Sequence, residues 1–239
     1  MTNRRKLISI IIPARNEENN IGYLLDDVLA TTNKMNDYEF EIIVVNDHSK
    51  DQTLSVALSK NVKVLNNLRR PGKGCALITG FENAKGDYFI MLDADYSHRP
   101  EDIPIFIQSL ENNAGLVIGS RIYGGSEEYT SIRAFGNIIL TLIFGIFHKR
   151  YLSDSLNGFK AFKSEIFKKF TYTSSGFEIE IELLVNALRM GMKIVEVPSQ
   201  ERKRRSGTSK SKIITHGLRF LYKILSEWLR NKFIFKKDI

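Results

Sequence analysis

An α/β fold with a Rossmann-like, mostly parallel sheet flanked by helices is predicted by three observations. Short apolar runs rich in β-branched residues alternate with helical patterns over the first half of the chain. The runs are unbroken rather than alternating, which is how strands buried on both faces read. The composition, 43% hydrophobic and 26% charged over 239 residues, supports one domain with a full core, or one domain with an appendage.

Residues 7–12, 41–45, 62–65, 88–92 and 116–118 are the strand candidates. Residues 17–30, 51–59, 75–84 and 100–111 are the helices between them, with Asp51-Gln52-Thr53 and Ser97 with Pro100 as helix starts. A β-α-β succession of this kind builds a parallel sheet with helices on both faces. After Gly124 the pattern changes. Residues 132–147 and 176–190 form long helix candidates, 194–197 a strand, 201–212 a basic stretch and 213–232 a final helix. The expected division is a main α/β domain over 1–210 and a basic amphipathic helix and tail over 211–239.

Cys75 is the single cysteine, so no internal disulfide is available, and its small neighbours suit a buried thiol. No segment reaches the ~20 apolar residues of a spanning helix; 138–147 has about half that. The short apolar run at 7–12 is followed at once by Pro13-Ala14-Arg15-Asn16-Glu17-Glu18, which is no cleavage region. A cytosolic location is the expectation. From Arg202 onward twelve Lys/Arg face two Asp/Glu, a net of +10; the whole chain carries +8, so residues 1–201 sum to −2.

Polar groups collect just past the strands: Pro13-Ala14-Arg15-Asn16-Glu17, then Asn46-Asp47-His48-Ser49, then Asp93-Ala94-Asp95. Ligands of open α/β sheets bind beyond the carboxyl ends of their strands. Ser49 and Asp51 fit helix capping as well as ligand binding. Asp93 and Asp95 follow the apolar Phe89-Ile90-Met91-Leu92. In extended chain they face one side, roughly 7 Å apart. Two close carboxylates disfavour one another's charge unless a cation lies between them. A hard divalent cation, Mg²⁺ or Mn²⁺, with oxygen ligands shared with phosphates would remove that cost and act as a Lewis acid on a departing diphosphate.

Together these segments resemble the family 2 glycosyltransferases of the GT-A fold. Within that family they look like the dolichyl-phosphate mannose synthase and polyprenyl-phosphate glycosyltransferase branch. The residues that carry the resemblance are Ile10-Ile11-Ile12-Pro13-Ala14-Arg15-Asn16-Glu17-Glu18, Val44-Val45-Asn46-Asp47-His48-Ser49, Asp93-Ala94-Asp95-Tyr96-Ser97-His98-Arg99-Pro100 and Gly119-Ser120-Arg121. They continue with Arg133-Ala134-Phe135-Gly136-Asn137, Asp154-Ser155-Leu156-Asn157-Gly158-Phe159-Lys160 and Arg204-Arg205-Ser206-Gly207-Thr208-Ser209-Lys210.

The resemblance implies a nucleotide-sugar donor, UDP- or GDP-linked. Pro13, Arg15, Glu17 and Asp47 would line the nucleoside pocket, with Lys73 and Ala94 near the nucleotide. Asp93 and Asp95 would bind ribose or diphosphate and the metal, with Ser97 as a third metal ligand. Arg121 and Arg133 would meet an acceptor phosphate, Asn137 standing where mannose synthases often have Ser. Arg204, Ser209 and Lys210 would lie on a loop over the donor diphosphate.

A sugar hydroxyl acceptor needs a general base. A lipid phosphate, its second pKa near 6, needs cations instead, and arginine suits that task. By that resemblance the Glu-Asp base motif usual in hydroxyl-directed relatives is lacking, although Glu178, Glu180 and Glu182 leave a hydroxyl acceptor open. Helix 213–232 mixes Leu218, Phe220, Leu221, Leu225, Trp228 and Leu229 with Arg219, Lys223, Arg230 and Lys232. It fits either an anionic membrane interface or packing on the domain. The expectation is a peripheral protein on the cytosolic face of a membrane, or one held there by a membrane-anchored partner subunit. A nucleic-acid-binding module would explain the basic tail, but Asp47, Asp93 and Asp95 would repel that ligand. A dinucleotide dehydrogenase would need glycines where Pro13-Ala14-Arg15-Asn16 stands.

Overall fold

The computed structural model describes residues 4–128, 130–207 and 213–234. Ser209 and Lys210 lie outside the described residues. Seven strands form one sheet: β1 (Lys6–Ala14), β2 (Tyr38–Asn46), β3 (Lys63–Asn66), β4 (Tyr88–Met91), β5 (Leu116–Ser120), β6 (Lys160–Lys163) and β7 (Ile194–Pro198). Their order is β3-β2-β1-β4-β6-β5-β7. All pairings are parallel except those of β6, which runs antiparallel to β4 and β5.

The helices are α1 (Ile21–Thr32), α2 (Thr53–Leu58), α3 (Lys73–Glu82), α4 (Ile103–Glu111), α5 (Arg121–Gly124), α6 (Ser131–His148), α7 (Glu165–Lys168), α8 (Ile179–Arg189) and α9 (Ile213–Ile234). Alternation along the strands assigns them to two faces. Ile8, Ile10 and Ile12 with Ile42 and Val44 pack against Leu24 and Val28 of α1 and Phe106 of α4. Ile11, Ile43 and Val45 face the other way, toward Leu77 and Phe81 of α3, Leu184 of α8 and Ile224 of α9. The unbroken apolar runs are thus explained by burial on both sides.

Four expectations change. The strand expected over 88–92 stops at Met91, and Asp93 to Tyr96 form a turn in which Tyr96 has φ +69°. Asp93 and Asp95 therefore stand in a turn, not in extended chain. The strand β6, Lys-Ala-Phe-Lys, was not expected, because four residues bounded by lysines carry no apolar run. Helix α6 has 18 residues and is, among the described residues, the one helix long and apolar enough by length and composition to cross a membrane. The shorter count from Ile138 omitted its first two turns. At 1.5 Å per residue it is about 27 Å long. Only 22% of those residues are buried. Finally, Lys223 does not belong to a solvated basic face: it is buried against Glu182 and Glu227.

Helix α9 packs its Phe220 and Ile224 into the core, while Trp228 meets Phe147 of α6 edge-on at 5.0 Å. His148 Nε2 donates to Ile224 O at 3.1 Å. Each helix still shows a second, uncovered apolar face. Ile132, Phe135, Ile138, Ile139, Leu142 and Ile146 of α6 are exposed and share one face about 120° wide. Ile214, Leu218, Tyr222 and Leu229 do the same on α9.

Candidate active site

The loops after β1 and β2 are stitched together by short polar side chains. Asn16 N donates to Ser49 Oγ (3.1 Å) and Glu17 N to Thr53 Oγ1 (2.7 Å). Glu18 N donates to Asp51 Oδ2 (3.1 Å) and Lys50 N to Asn16 Oδ1 (2.8 Å). Ser49 and Asp51 are therefore structural pins. Asp47, buried beside them, accepts from Gly72 N at 2.9 Å and from Asn67 Nδ2 at 2.7 Å, which ties down the turn into α3. Asn16, His48 and Tyr96 all have positive φ, one in each of the loops after β1, β2 and β4. Sparsely populated backbone held in place by its surroundings is common at functional sites.

These loops line one cavity of about 860 Å³. Pro13, Arg15, Glu17, Asp47, Lys73, Asp93, Ala94, Asp95, Ser97, Arg121, Arg133, Asn137 and Arg204 all contribute to its wall. Every predicted site residue among the described ones is thus brought to one place, although the residues span nearly 200 positions of sequence.

Both aspartates already hold a protein cation, so their mutual repulsion does not by itself call for a metal. Lys73 Nζ is 2.5 Å from Asp93 Oδ1, and Arg204 Nη2 is 2.9 Å from Asp95 Oδ2. Burial alone would raise Asp93, but Lys73, with Arg204 farther off, outweighs it and holds the carboxyl at about 2. Burial likewise opposes the charge on Lys73, and Asp93 and Glu180 override it, leaving the ammonium above its usual range. Gly158 packs against this pair: a Cβ on it would lie 2.7 Å from Lys73 Nζ and 2.8 Å from Asp93 Oδ2, so a larger residue would displace them.

The remaining donor set still suits a hard cation. Ser97 Oγ donates to Asp95 Oδ1 at 2.7 Å, so a hydroxyl and two carboxylates share the turn. Among the described residues no group of three or more Asp, Glu, His or Cys forms a complete cage. Two carboxylates and a hydroxyl leave places for phosphate oxygens and water, which is how Mg²⁺ and Mn²⁺ are held alongside substrate phosphates.

Sequence reasoning missed His98, Asn157 and Asp154 as part of this machinery. Asp93 N donates to His98 Nδ1 (3.1 Å), so the ring proton sits on Nε2 and is donated to Asn157 Oδ1 (3.1 Å). His98 thereby fixes the backbone of the aspartate turn. Asp154, fully buried, receives Arg121 through both Nε (2.7 Å) and Nη2 (2.9 Å), and Asn137 Nδ2 at 2.7 Å. Burial would raise Asp154, but Arg121 outweighs it and the carboxyl stays below its usual value. Glu201 lies 3.6 Å from Arg121 Nη1. Asp154 lies in the segment Asp154-Ser155-Leu156-Asn157-Gly158, but nothing local names a partner 33 positions away.

The three glutamates considered as bases are all engaged. Glu182 accepts from Thr173 and Ser174 and pairs with Lys223. Glu178 accepts from Ser175 N and Gly176 N. Glu180 alone lines the cavity; it pairs with Lys73 at 2.9 Å and lies 3.9 Å from buried Lys160, which burial pushes down to about 8.

Residues 202–205 of the basic stretch lie over the rim. Arg202 pairs with Asp27 (3.0 Å) and covers the Tyr96 ring at 3.5 Å, and Arg205 covers Tyr23 at 3.9 Å. The outer arginines clamp the chain to aromatic faces and Arg204 points inward.

A family model described as "Glycosyl transferase family 2" matches residues 9–171. The chain is 34% identical to a dolichol-phosphate mannosyltransferase of Pyrococcus furiosus over 91% of its length and 63% of that protein's. It is 31% identical to a dolichyl-phosphate beta-glucosyltransferase of Trichomonas vaginalis, over 80% of its length and 64% of that protein's. The chain thus spans just under two thirds of these two relatives. Among solved structures, glucosyl-3-phosphoglycerate synthase from Mycobacterium tuberculosis in complex with Mn²⁺, UDP and glucosyl-3-phosphoglycerate superposes with a TM-score of 0.75, at 23% identity, over 93% of this chain and 80% of that one. The same synthase with Mn²⁺ and UDP-glucose gives 0.76, at 22% identity, over 93% and 79%. At that identity the likeness is one of fold, and it is the GT-A fold expected above.

Proposed function

This chain belongs to glycosyl transferase family 2, and on that premise we propose that it moves a sugar from a UDP- or GDP-sugar to a polyprenyl or dolichyl phosphate. The proposed transfer inverts the anomeric centre and uses Mg²⁺ or Mn²⁺. An oxygen of the acceptor phosphate attacks the anomeric carbon, the bond from that carbon to the diphosphate breaks, and the nucleoside diphosphate leaves with the electron pair. Asp93, Asp95 and Ser97 are the residues that would hold the cation, which supplies charge stabilisation for the leaving diphosphate when bound. Asp47, Arg15, Pro13 and Glu17 stand at the nucleoside end of the cavity. The names of the curated relatives support a lipid-phosphate acceptor.

The observation that carries the acceptor assignment is the pairing of Glu180. It is the one of the three candidate bases that lines the cavity, and Lys73 already holds it. A carboxylate bound to an ammonium is a poor general base for a hydroxyl. An acceptor that is already an anion needs none, and Arg121 and Arg133 line the same cavity.

The test is incubation of the full chain with polyprenyl phosphate and a panel of labelled UDP- and GDP-sugars, with and without Mn²⁺. Labelled lipid is the expected product. Label on a free sugar acceptor but not on lipid phosphate would replace this reading with a hydroxyl acceptor. In the same assay Arg133→Ala should raise KM for the lipid phosphate about 10–100-fold, the worth of one charge-assisted hydrogen bond, and leave donor affinity unchanged. Equal acceptor kinetics would remove Arg133 from the acceptor site.

We propose peripheral attachment at the cytosolic face of a membrane, and the exposed apolar faces of α6 and α9 support the attachment. Leu140 of α6 and Phe220 of α9 line the cavity, so a lipid acceptor has an apolar approach between them. Leu142→Glu is expected to reduce co-sedimentation with phosphatidylserine vesicles severalfold at an unchanged melting temperature. If wild type itself stays in the supernatant, attachment falls instead to a membrane-anchored partner.

A further inference from the structure

Lys73 and Arg204 each stand between two acids. One acid of each pair is an aspartate of the β4–α4 turn; the other comes from elsewhere in the chain. Lys73 Nζ lies 2.5 Å from Asp93 and 2.9 Å from Glu180 Oε1. Arg204 Nη2 lies 2.9 Å from Asp95, and its Nε is 3.6 Å from Glu128 Oε2. Glu128 Oε1 also accepts the backbone N–H of Arg204, at 3.2 Å, so the two residues are held in register.

We propose that Glu128 and Glu180 are positioning residues that take over Arg204 and Lys73 when a divalent cation occupies Asp95 and Asp93. This rests on the reading of that pair as the metal site. A divalent cation brought beside a guanidinium and an ammonium is repelled by both, and neither could leave the cavity without losing its burial. A second acid behind each cation removes the conflict. The cations turn away from the aspartates, keep a partner and stay inside the cavity, where a diphosphate would meet them.

Unused hydrogen-bonding capacity marks the direction of that movement. Arg204 Nε is buried with no hydrogen-bond partner, and 3.6 Å from Glu128 is just outside hydrogen-bond range. Glu180 is 1% exposed, and its Oε2 likewise has no hydrogen-bond partner. Each receiving pair can tighten. Native interiors satisfy nearly all buried polar atoms, so unsatisfied ones on both sides of the same exchange need a cause. The two acids are also differently built. Glu180 is rigid in α8, whereas Glu128 sits in the loop before α6, with its side chain 20% exposed. The Arg204 arm is therefore the one that can be altered without opening the core.

Mn²⁺ alone, with no nucleotide, is the probe, its free concentration read by electron paramagnetic resonance in titrations of the full chain. Arg204→Gln should tighten Mn²⁺ binding roughly five- to tenfold, because no cation then competes for Asp95. Glu128→Gln should weaken it by a similar factor, because Arg204 then has only Asp95. In the Arg204→Gln background the second change, Glu128→Gln, should have no effect, since nothing remains for Glu128 to receive. That coupling is the signature of exchange. Arg204→Lys, which keeps the charge but loses Nε, should weaken binding as Glu128→Gln does, and serves if the glutamine variant does not fold. An equal effect of Glu128→Gln with and without Arg204 would mean that Glu128 acts on the metal through its own charge, and would overturn the exchange. Unchanged affinity in Arg204→Gln would overturn it too. If wild type and all variants fail to bind Mn²⁺ at millimolar concentration, the metal site itself falls, and the exchange with it.

Discussion

Asp95→Ala is expected to lower sugar transfer about a thousandfold, some 4 kcal/mol of transition-state stabilisation, while the protein stays folded. Asp95 holds its position by accepting from Ser97 N and Oγ and by pairing with Arg204. It sits in a turn past the end of β4 and contributes nothing to the sheet. Removing its carboxylate therefore takes away a ligand for the proposed cation without opening a cavity in the core. Arg204 keeps Glu128 as a partner. The measurement is initial rate with and without Mn²⁺, alongside a thermal melt. Full activity in the variant, or in wild type under excess EDTA, would remove the metal from the account.

Asp154→Asn is the second large effect, and it acts on folding as well as transfer. Asp154 is fully buried and takes both nitrogens of Arg121 together with Asn137 Nδ2. An amide in its place turns an NH₂ toward a guanidinium and leaves that cation without its buried counter-charge. Breaking a buried pair in this way costs about 3–5 kcal/mol, or roughly 6–20 °C of melting temperature in a domain of this size. The pH dependence has a definite sign. Asp154 is held below its usual pKa, so the stability it lends is complete above about pH 4, the ordinary carboxylate value. That stability is lost as pH falls through the depressed value of the folded state. Wild type should therefore lose stability over that acid window more steeply than the asparagine variant. Parallel acid-unfolding curves would show that Asp154 is not the counter-ion described.

The parallel half of the sheet was legible because a strand with helices on both sides must be apolar at every position. Ile10, Ile11 and Ile12 show this, since each faces a packed layer. Strand β6 obeys a different rule. Lys160 is fully buried, but its ammonium turns to the carbonyls of Ser155 and Asn157, so a charged residue occupies a core position. No hydrophobic pattern encodes that. The acidic rim of the site was legible for the same reason as the strands, because Asp47, Asp93 and Asp95 each follow an apolar run. Its cations Lys73 and Arg204 were named by the family resemblance, but their pairing with the aspartates was not legible. Lys73 and Arg204 reach the aspartates from 20 and 109 positions away, by way of the start of α3 and the segment after β7. Charge complementarity of this kind is a property of the folded path, and a window along the chain does not contain it.

The reversed polarity of β6 has a consequence for how the cleft can be remodelled. Its neighbours reach the rim as they leave the sheet, and their outgoing loops are tied to the helices that follow. Strand β6 reaches the rim on its way in, so the residues just before it, Asn157 and Gly158, meet His98 and Asp93. One residue added or removed between Asp154 and β6 would change which side chain faces the aspartate turn, while Asp154 could keep its hold on Arg121 at the β5–α5 junction. The length of that connection adjusts the cleft beside Asp93, set apart from the loops after β1 and β2.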